Sequence, residues 1–461
     1  MNIQEHIFRA YDIRGLFNKD LTSGVMYKIG LAAGTYTKKI LEEQEIIVGN
    51  DIRYSSIPLA FAFISGVLSS GVDVVYVGTT AFGQTLFRGW EKKKGPIAFI
   101  TASHLPPEWN GIKFYYSDGV GFPEEELRKI RDFCLNNNVE LASWDKIGKL
   151  SQEDAKDNYL EFFKKNFQFE NKVKVAVDCG GASTTLSAPE IFQSIGINFV
   201  PVFCETDPSF SVRPSDPKPK NLAELKRIVI EKNCDFGVAF DGDGDRAVIV
   251  DNKGNVLSAD QTGIIIAKYG LKEKKGIIIA NVECSKAVDE QLSPLGYKIK
   301  RIPVGHTFLT LEAKRENSPL GIESSGHLIL PEYFLFDDAL VIPLKVAEIL
   351  TKSNKKLSDL VQEIPIYPLK KVEVECEDKI KFEVMKIFSE EVKKEFSNVS
   401  TLDGVRIELE KGWVLIRPSN TSPIIRLTAE ADTEEVLNEI TSSFKEKLKK
   451  TIEKYREKAR D

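Results

Sequence analysis

Three segments of this chain repeat one pattern. "EIIVGND" (45–51), "VKVAVDCGGAS" (173–183) and "GIIIANVECS" (276–285) are apolar, β-rich runs. Each passes straight into a polar or glycine-bearing turn, and each is followed by a stretch suited to a helix. Strands apolar on both faces belong in buried sheets, and strand–turn–helix order covers mostly parallel sheets with helices. The wide spacing of the copies implies three related α/β domains, not a short-period solenoid. At 461 residues the chain exceeds what one core holds, which also requires several domains.

The C-terminal part reads differently. "KKVEVEC" (370–376) alternates like a half-exposed strand. A helix is predicted near 382–396, then strands near 404–409 and 413–417, then "IIRLTAE". That order predicts a small α+β domain with an antiparallel sheet. Ile440, Phe444, Leu448 and Ile452 recur at i+4 steps, the core stripe of a helix with a solvated opposite face. The domains expected are therefore 1–150, 151–256, 257–367 and 368–461. "DPSFSVRPSDPKPKN" (207–221) is a Pro- and Ser-rich loop inside the second.

Composition narrows the class. Net charge is -5, which argues against a broad nucleic-acid partner, since that needs a basic face. A few arginines in a cleft can still hold a small anion. The six cysteines form no CxxC pair and read as reduced thiols of a cytoplasmic protein. The start, "MNIQEHIFRAYD", has no basic segment leading into an apolar one. The longest uncharged stretch, 57–72, is too short to span a bilayer and reads as a packed helix, so no membrane partner is expected.

Four loops carry candidate chemistry. In "VAFDGDGDRAVIVD" (238–251) an apolar strand ends in Asp241, Asp243 and Asp245, with glycines between them that permit a tight turn. Carboxylates this dense need a cation, and hard oxygen ligands favour Mg²⁺ over Zn²⁺. A solvated acidic turn is the plain alternative. An EF-hand fits poorly, because Arg246 and Asn252 stand where it needs Gly and Glu. The D-x-D-G start also resembles phosphatases of the haloacid-dehalogenase type, in which Asp241 would be the nucleophile and Asp337-Asp338 a weak second acidic pair.

In "IAFITASHLPPEWNGIKFY" (97–115) an apolar strand ends at Ser103 and His104. A serine at a strand end suits nucleophilic or phosphoryl chemistry, although a Ser-His dipeptide is more often only a loop. In "GIESSGH" (321–327), Glu323, Ser325 and His327 alternate, a set suited to sugar hydroxyls and a proton shuttle, or to a hydrogen-bonded turn. His306 in "PVGHTF" is open to the same two readings. In "IRPSNTSPIIR" (416–426), Arg417, Ser419, Asn420 and Thr421 form a donor set for phosphate, with Arg426 nearby; an Asx/Ser turn is the alternative.

Taken in this order, and with the opening "FRAYDIRG" (8–15), these motifs closely resemble the α-D-phosphohexomutase family and its phosphomannomutase/phosphoglucomutase branch, over essentially the whole chain. The resemblance implies three similar mixed-sheet α/β domains plus a smaller C-terminal α+β domain, heart-shaped around a central cleft. It implies a phosphoserine at Ser103 with His104 beside it. Mg²⁺ would be held by Asp241, Asp243, Asp245 and an oxygen of Ser103. Arg246 would line the cleft, Glu323 and Ser325 would contact sugar hydroxyls, and His327 would lie in the site. Arg417, Ser419, Asn420 and Thr421 would hold the non-reacting phosphate. Tyr11, Arg14 and Lys113 match cleft residues, Lys113 as candidate general base.

The activity implied is interconversion of hexose 1- and 6-phosphates of mannose and/or glucose through a hexose 1,6-bisphosphate. The partner expected is a sugar phosphate, and a monomer or homodimer is the expected assembly. A phosphoglucosamine mutase, an aspartyl-nucleophile phosphatase and an inactive sugar-phosphate binder are the alternatives. Two residues depart from the family pattern. Leu105 stands where an Asn is usual, and Glu283 stands where bacterial bifunctional enzymes carry Lys.

Overall fold

The computed structural model describes residues 3–170, 172–271, 275–419 and 423–458. The apolar runs of the sequence form buried strands. The first unit contains β1 (Ile13–Leu16), β2 (Glu45–Asn50), β3 (Asp73–Thr79), β4 (Ile97–Ile100), β5 (Trp109–Tyr115) and β6 (Leu150–Gln152). The second contains β7 (Lys174–Asp178), β8 (Asn198–Val202), β9 (Phe236–Phe240) and β10 (Ala247–Asp251). The third contains β11 (Ile277–Asn281), β12 (Lys298–Ile302), β13 (Gly321–Ile322) and β14 (Leu328–Ile329).

The strand orders expose a repeat. They are β1-β5-β4-β2-β3-β6, β10-β9-β7-β8 and β12-β11-β13-β14. Each sheet contains the same four-strand set. A first strand pairs in parallel with the second on one side and the third on the other, and the third turns back into an antiparallel fourth. All three sheets are therefore mixed. The first is extended by β1 at one edge and by β6 at the other, which carries it to Gln152.

Helices cover these sheets. The uncharged stretch expected to be a helix forms Ser56–Ser69, which packs on Ser23–Lys39. The two approach closely where Gly30 and Gly66 face backbone: an added Cβ at Gly30 would lie 2.0 Å from the Phe63 carbonyl oxygen. Among the described residues no helix is long and apolar enough to cross a membrane.

The fourth unit is an antiparallel sheet of β15 (Leu369–Glu375), β16 (Val399–Ser400), β17 (Val405–Leu409), β18 (Gly412–Pro418) and β19 (Ile424–Ala431), in the order β15-β19-β18-β17-β16. Helices Lys381–Glu395 and Glu434–Lys458 accompany it. Ile440, Phe444, Leu448 and Ile452 are all buried in its core, as their spacing predicts. Fully buried Trp413 joins this unit to the third by packing with Val282 and Leu415.

Candidate active site

Three of the four candidate loops are one loop in three copies. Ser103 lies between β4 and β5, the three aspartates lie between β9 and β10, and Glu323, Ser325 and His327 lie between β13 and β14. Each loop links the third strand of its unit to the antiparallel fourth. The strands place these turns at one end of each sheet, where α/β sites gather.

Ser103 is buried and has φ 52°, a left-handed conformation uncommon outside glycine. Its hydroxyl donates to Asp241 Oδ2 at 3.0 Å and lies 3.2 Å from His104 Nδ1. The first and second units therefore meet at this serine. The backbones are equally close, since a Cβ added at Gly242 would lie 2.2 Å from the Ser103 carbonyl oxygen. The charge of Arg246, together with burial, drives the proton affinity of His104 well down, so the imidazole beside Ser103 is neutral.

The aspartate loop encloses concentrated negative charge. Asp241 Oδ1 accepts the backbone N–H groups of Gly244, Asp245 and Arg246 at 3.0, 3.1 and 3.2 Å. Carboxylate oxygens of Asp241, Asp243 and Asp245 lie within 4.8 Å of one another, and all three residues are buried. Lys113 reaches in from β5, with Nζ 3.0 Å from Asp243 Oδ2 and 2.5 Å from Asp245 Oδ2. Asp243 Oδ1 and Asp245 Oδ1 are buried without a hydrogen-bond partner among the described residues. Burial, then the neighbouring carboxylates, pushes Asp241 and Asp243 up. Burial also acts upward on Asp245, but Lys113, His327 and Arg246 outweigh it and hold Asp245 low. Unpartnered oxygens at this density, from hard ligands only, fit a divalent cation of the Mg²⁺ type.

Lys113 differs from the sequence expectation in one respect. Burial lowers its proton affinity, but Asp243 and Asp245 more than compensate. Its amine therefore keeps its proton here and is not a free base.

The second and third units meet at Arg246, whose Nε donates to His327 Nε2 at 2.9 Å. A guanidinium only donates, so His327 carries its proton on Nδ1. Nδ1 lies 2.5 Å from Asp337 Oδ2. Burial lowers the proton affinity of His327, Asp245 and Asp337 raise it, and the balance is upward. The His306 ring stacks on His327 at 5.5 Å, with its pKa lowered to about 4 by burial. Tyr11 meets His306 edge-on at 6.5 Å, and the Tyr115 hydroxyl lies 3.4 Å from His306 Nδ1. Arg14 pairs with Asp12 at 2.6 Å, and its Nη1 lies 3.5 Å from the Ala102 carbonyl. Glu323 Oε1 accepts the exposed Ser325 hydroxyl at 2.7 Å, while its Oε2 is buried without a hydrogen-bond partner among the described residues.

The fourth unit contributes Arg417. Its Nη1 lies 3.1 Å from Asp403 Oδ2, and its Nε lies 3.4 Å from Glu283 Oε1 of the third unit. Glu283 also pairs with Lys371 at 3.1 Å. Ser419 is buried, and its carbonyl accepts Lys381 Nζ. Arg426 is the cross-strand partner of Arg417; it is exposed and faces Glu373 at 3.9 Å. Asn420 and Thr421 lie outside the described residues.

Several residues at the site were not singled out from the sequence for these contacts. Asp337 orients His327, and Asp403 engages Arg417. Asp51 and Arg53 underlie the serine loop. The signal available for Asp51 was its place at the end of the repeated apolar run.

Comparison with known proteins agrees with this arrangement. Residues 5–139, 157–254 and 258–367 match the phosphoglucomutase/phosphomannomutase alpha/beta/alpha domains I, II and III, and residues 369–447 match the C-terminal domain. A Methanopyrus kandleri protein named "Probable phosphoglucosamine mutase" is 32% identical, over 98% of this chain and 99% of its own. A Thermococcus kodakarensis "Phosphoglucomutase/phosphomannomutase" is 34% identical, over 94% and 96%. The crystal structure of a phosphoglucomutase/phosphomannomutase family protein from Burkholderia thailandensis superposes with a TM-score of 0.87 at 26% identity, covering 97% of this chain and 98% of that one. The fold is that of a phosphohexomutase-type isomerase. The chain belongs to the phosphoglucomutase/phosphomannomutase family.

Proposed function

We propose that the protein interconverts hexose 1-phosphate and hexose 6-phosphate, with mannose and/or glucose as the sugar, through a phosphorylated Ser103. The contact that carries this reading is Ser103 Oγ, 3.0 Å from Asp241 Oδ2. In the first half-reaction the Ser103 Oγ–P bond breaks and a new O–P bond forms to the free hydroxyl of the sugar phosphate. The hydroxyl proton passes to a base, and hexose 1,6-bisphosphate results. The bisphosphate turns end for end and returns its other phosphoryl group to Ser103.

Asp241, Asp243 and Asp245 are the residues that would hold Mg²⁺. When bound, the ion supplies positive charge for the transferring phosphoryl group. A phosphoserine adds about -1.5 to -2 charges to three carboxylates, so a cation there is close to obligatory. Lys113, whose amine lies against Asp243 and Asp245, is the residue that would take the hydroxyl proton once those carboxylates no longer hold its own. Neutral His104 sits at Ser103, and the Asp337-oriented His327 holds Arg246 in place.

Glu323 and Ser325 suit sugar hydroxyls, because one buried Glu323 carboxylate oxygen has no donor among the described residues. Arg417, Ser419, Asn420 and Thr421 suit the non-reacting phosphate, with Tyr11, Arg14, His306 and Arg426 as further contacts. A donor-rich loop tolerates both orientations of the bisphosphate.

Glucosamine phosphate is the second reading, favoured by the relative of that name that aligns over 98% of this chain. An aspartyl nucleophile is disfavoured by geometry. Asp241 Oδ1 accepts three backbone N–H groups and Oδ2 faces the Ser103 hydroxyl, so the carboxylate is turned to its own loop and to the serine, as suits a metal ligand more than a nucleophile. The test is linkage. Incubation with labelled hexose 1,6-bisphosphate is expected to leave an acid-stable ester on Ser103, and Ser103→Ala to lose nearly all turnover while sugar phosphate still binds. A hydroxylamine-labile label on Asp241 would overturn the reading. Coupled assays with mannose, glucose and glucosamine 1-phosphates decide the sugar.

A further inference from the structure

Ser103 is tied on both sides of its own backbone to one carboxylate. Its N–H donates to Thr101 Oγ1 at 2.8 Å, and the Thr101 hydroxyl donates to Asp51 Oδ2 at 2.7 Å. Its carbonyl accepts Arg53 Nη2 at 2.7 Å, and Arg53 Nε donates to the same Asp51 oxygen at 3.0 Å. The other Asp51 oxygen accepts the Arg53 N–H at 3.0 Å and the Ser56 hydroxyl. The rest of the guanidinium follows the loop onward. It donates to the carbonyls of Leu105 at 2.7 Å, Pro106 at 2.6 Å and Trp109 at 3.3 Å.

A fully buried arginine thus spends its donors on four carbonyls of residues 103–109, a task its planar fork suits and an ammonium does not. The second unit closes over the same point. The Phe210 ring lies 4.9 Å from the Arg53 guanidinium, and the Ser215 hydroxyl donates to the Leu105 carbonyl at 3.0 Å. That unit carries a matching device. Arg213 pairs with Asp178 at 2.9 Å and donates to the carbonyl of Phe240, the residue before Asp241, at 2.7 Å.

We infer that Asp51 and Arg53 are positioning residues for phosphoryl transfer: they hold Ser103 in its left-handed conformation and so aim its hydroxyl at the aspartate loop. Neither touches the reacting atoms, and Arg53 has its donors committed to the backbone and to Asp51. The left-handed φ would relax if the two tethers were cut, since most side chains prefer φ below zero. The Ser103 hydroxyl would then leave Asp241. This inference rests on Ser103 carrying the phosphoryl group.

The experiment separates the two ideas. Wild-type protein is first labelled with hexose 1,6-bisphosphate; absence of an ester on Ser103 removes the reading beneath the inference. Arg53→Lys and Thr101→Val are then compared. Lysine keeps the charge beside Asp51 but cannot span the carbonyls, and valine matches threonine in shape but ends the link to the Ser103 N–H. A misplaced reacting group costs up to about 100-fold, so kcat is expected to fall about 100-fold in Arg53→Lys and about 10-fold in Thr101→Val, with KM within about threefold of wild type. Discharge of labelled Ser103 to sugar phosphate is expected to slow in proportion. Should Arg53→Lys not fold, Thr101→Val decides alone. Unchanged kcat in Thr101→Val, or kcat and sugar-phosphate binding lost together, would reduce the network to scaffold and overturn the inference.

Discussion

Lys113 of the first unit and Asp243 of the second are joined by a buried ion pair of 3.0 Å. The lysine occupies the carboxylates that suit a divalent cation, so ammonium and metal ion compete for them. Removing one partner of a buried pair costs about 3–5 kcal/mol. Lys113→Met is therefore expected to melt well below wild type in the presence of a chelator. It is also expected to gain more from Mg²⁺, because binding at 100 times Kd adds about 2.7 kcal/mol and no ammonium need be displaced. Scanning calorimetry with and without Mg²⁺ checks this, and an equal rise in Tm for both proteins would contradict competition.

How much of this was legible in the sequence follows from where each signal resides. The strands were legible because "EIIVGN", "VKVAVD" and "GIIIAN" are apolar enough to be buried on both faces. Asp241, Asp243 and Asp245 were legible because local spacing alone concentrates their charge. The equivalence of the three hairpin loops was not, because the loops share no residue pattern and only strand order reveals it. Nor was Arg53, whose four carbonyl partners become neighbours only once β4, β5 and the loop between them fold. Glu283 stood out as a departure, but its pairing with Arg417 depends on how the fourth unit docks.

Asp338 links the third unit to the helix Lys156–Asn166 through the Tyr159 hydroxyl at 2.7 Å. Burial pushes its pKa from 3.8 up to about 7. A carboxyl raised in this way supports folding fully below its unfolded value, and that support is lost as pH rises through the folded one. Stability should therefore decline between about pH 4 and pH 7, by at most about 1.4 kcal/mol per pH unit, and level off above. Asp338→Asn cannot ionise and should flatten this slope, gaining on wild type at pH 8. Melting curves across that range check it; parallel curves for the two proteins would show that Asp338 is not the group responsible.

Gly242 passes so close to Ser103 that a methyl group has no room, 2.2 Å from a backbone oxygen. Gly242→Ala must push the serine and aspartate loops apart. Because a shift near 1 Å costs about 100-fold in rate, kcat should fall by about that factor while sugar-phosphate binding, proposed to rest on Arg417, should persist. Isothermal titration beside steady-state kinetics separates the two, and wild-type kcat would show that the contact is slack.

Arg417 presents the last test, because its guanidinium is engaged by carboxylates on two units, Asp403 and Glu283. In the phosphate-binding role proposed for Arg417, a substrate phosphate would compete with both. Charge-assisted hydrogen bonds contribute about 1.5–3 kcal/mol, so Arg417→Ala should raise KM about 10- to 100-fold for either isomer with less effect on kcat. Glu283→Gln should act the opposite way. It removes one competitor at Arg417 and leaves Asp403 to orient the guanidinium, so KM should fall several-fold. Lys371, freed from Glu283, adds a second cation near the same loop and strengthens the trend. Steady-state kinetics of both variants checks the pair of directions together. A rise in KM in Glu283→Gln would mean that the carboxylate holds Arg417 ready for phosphate and does not compete with it.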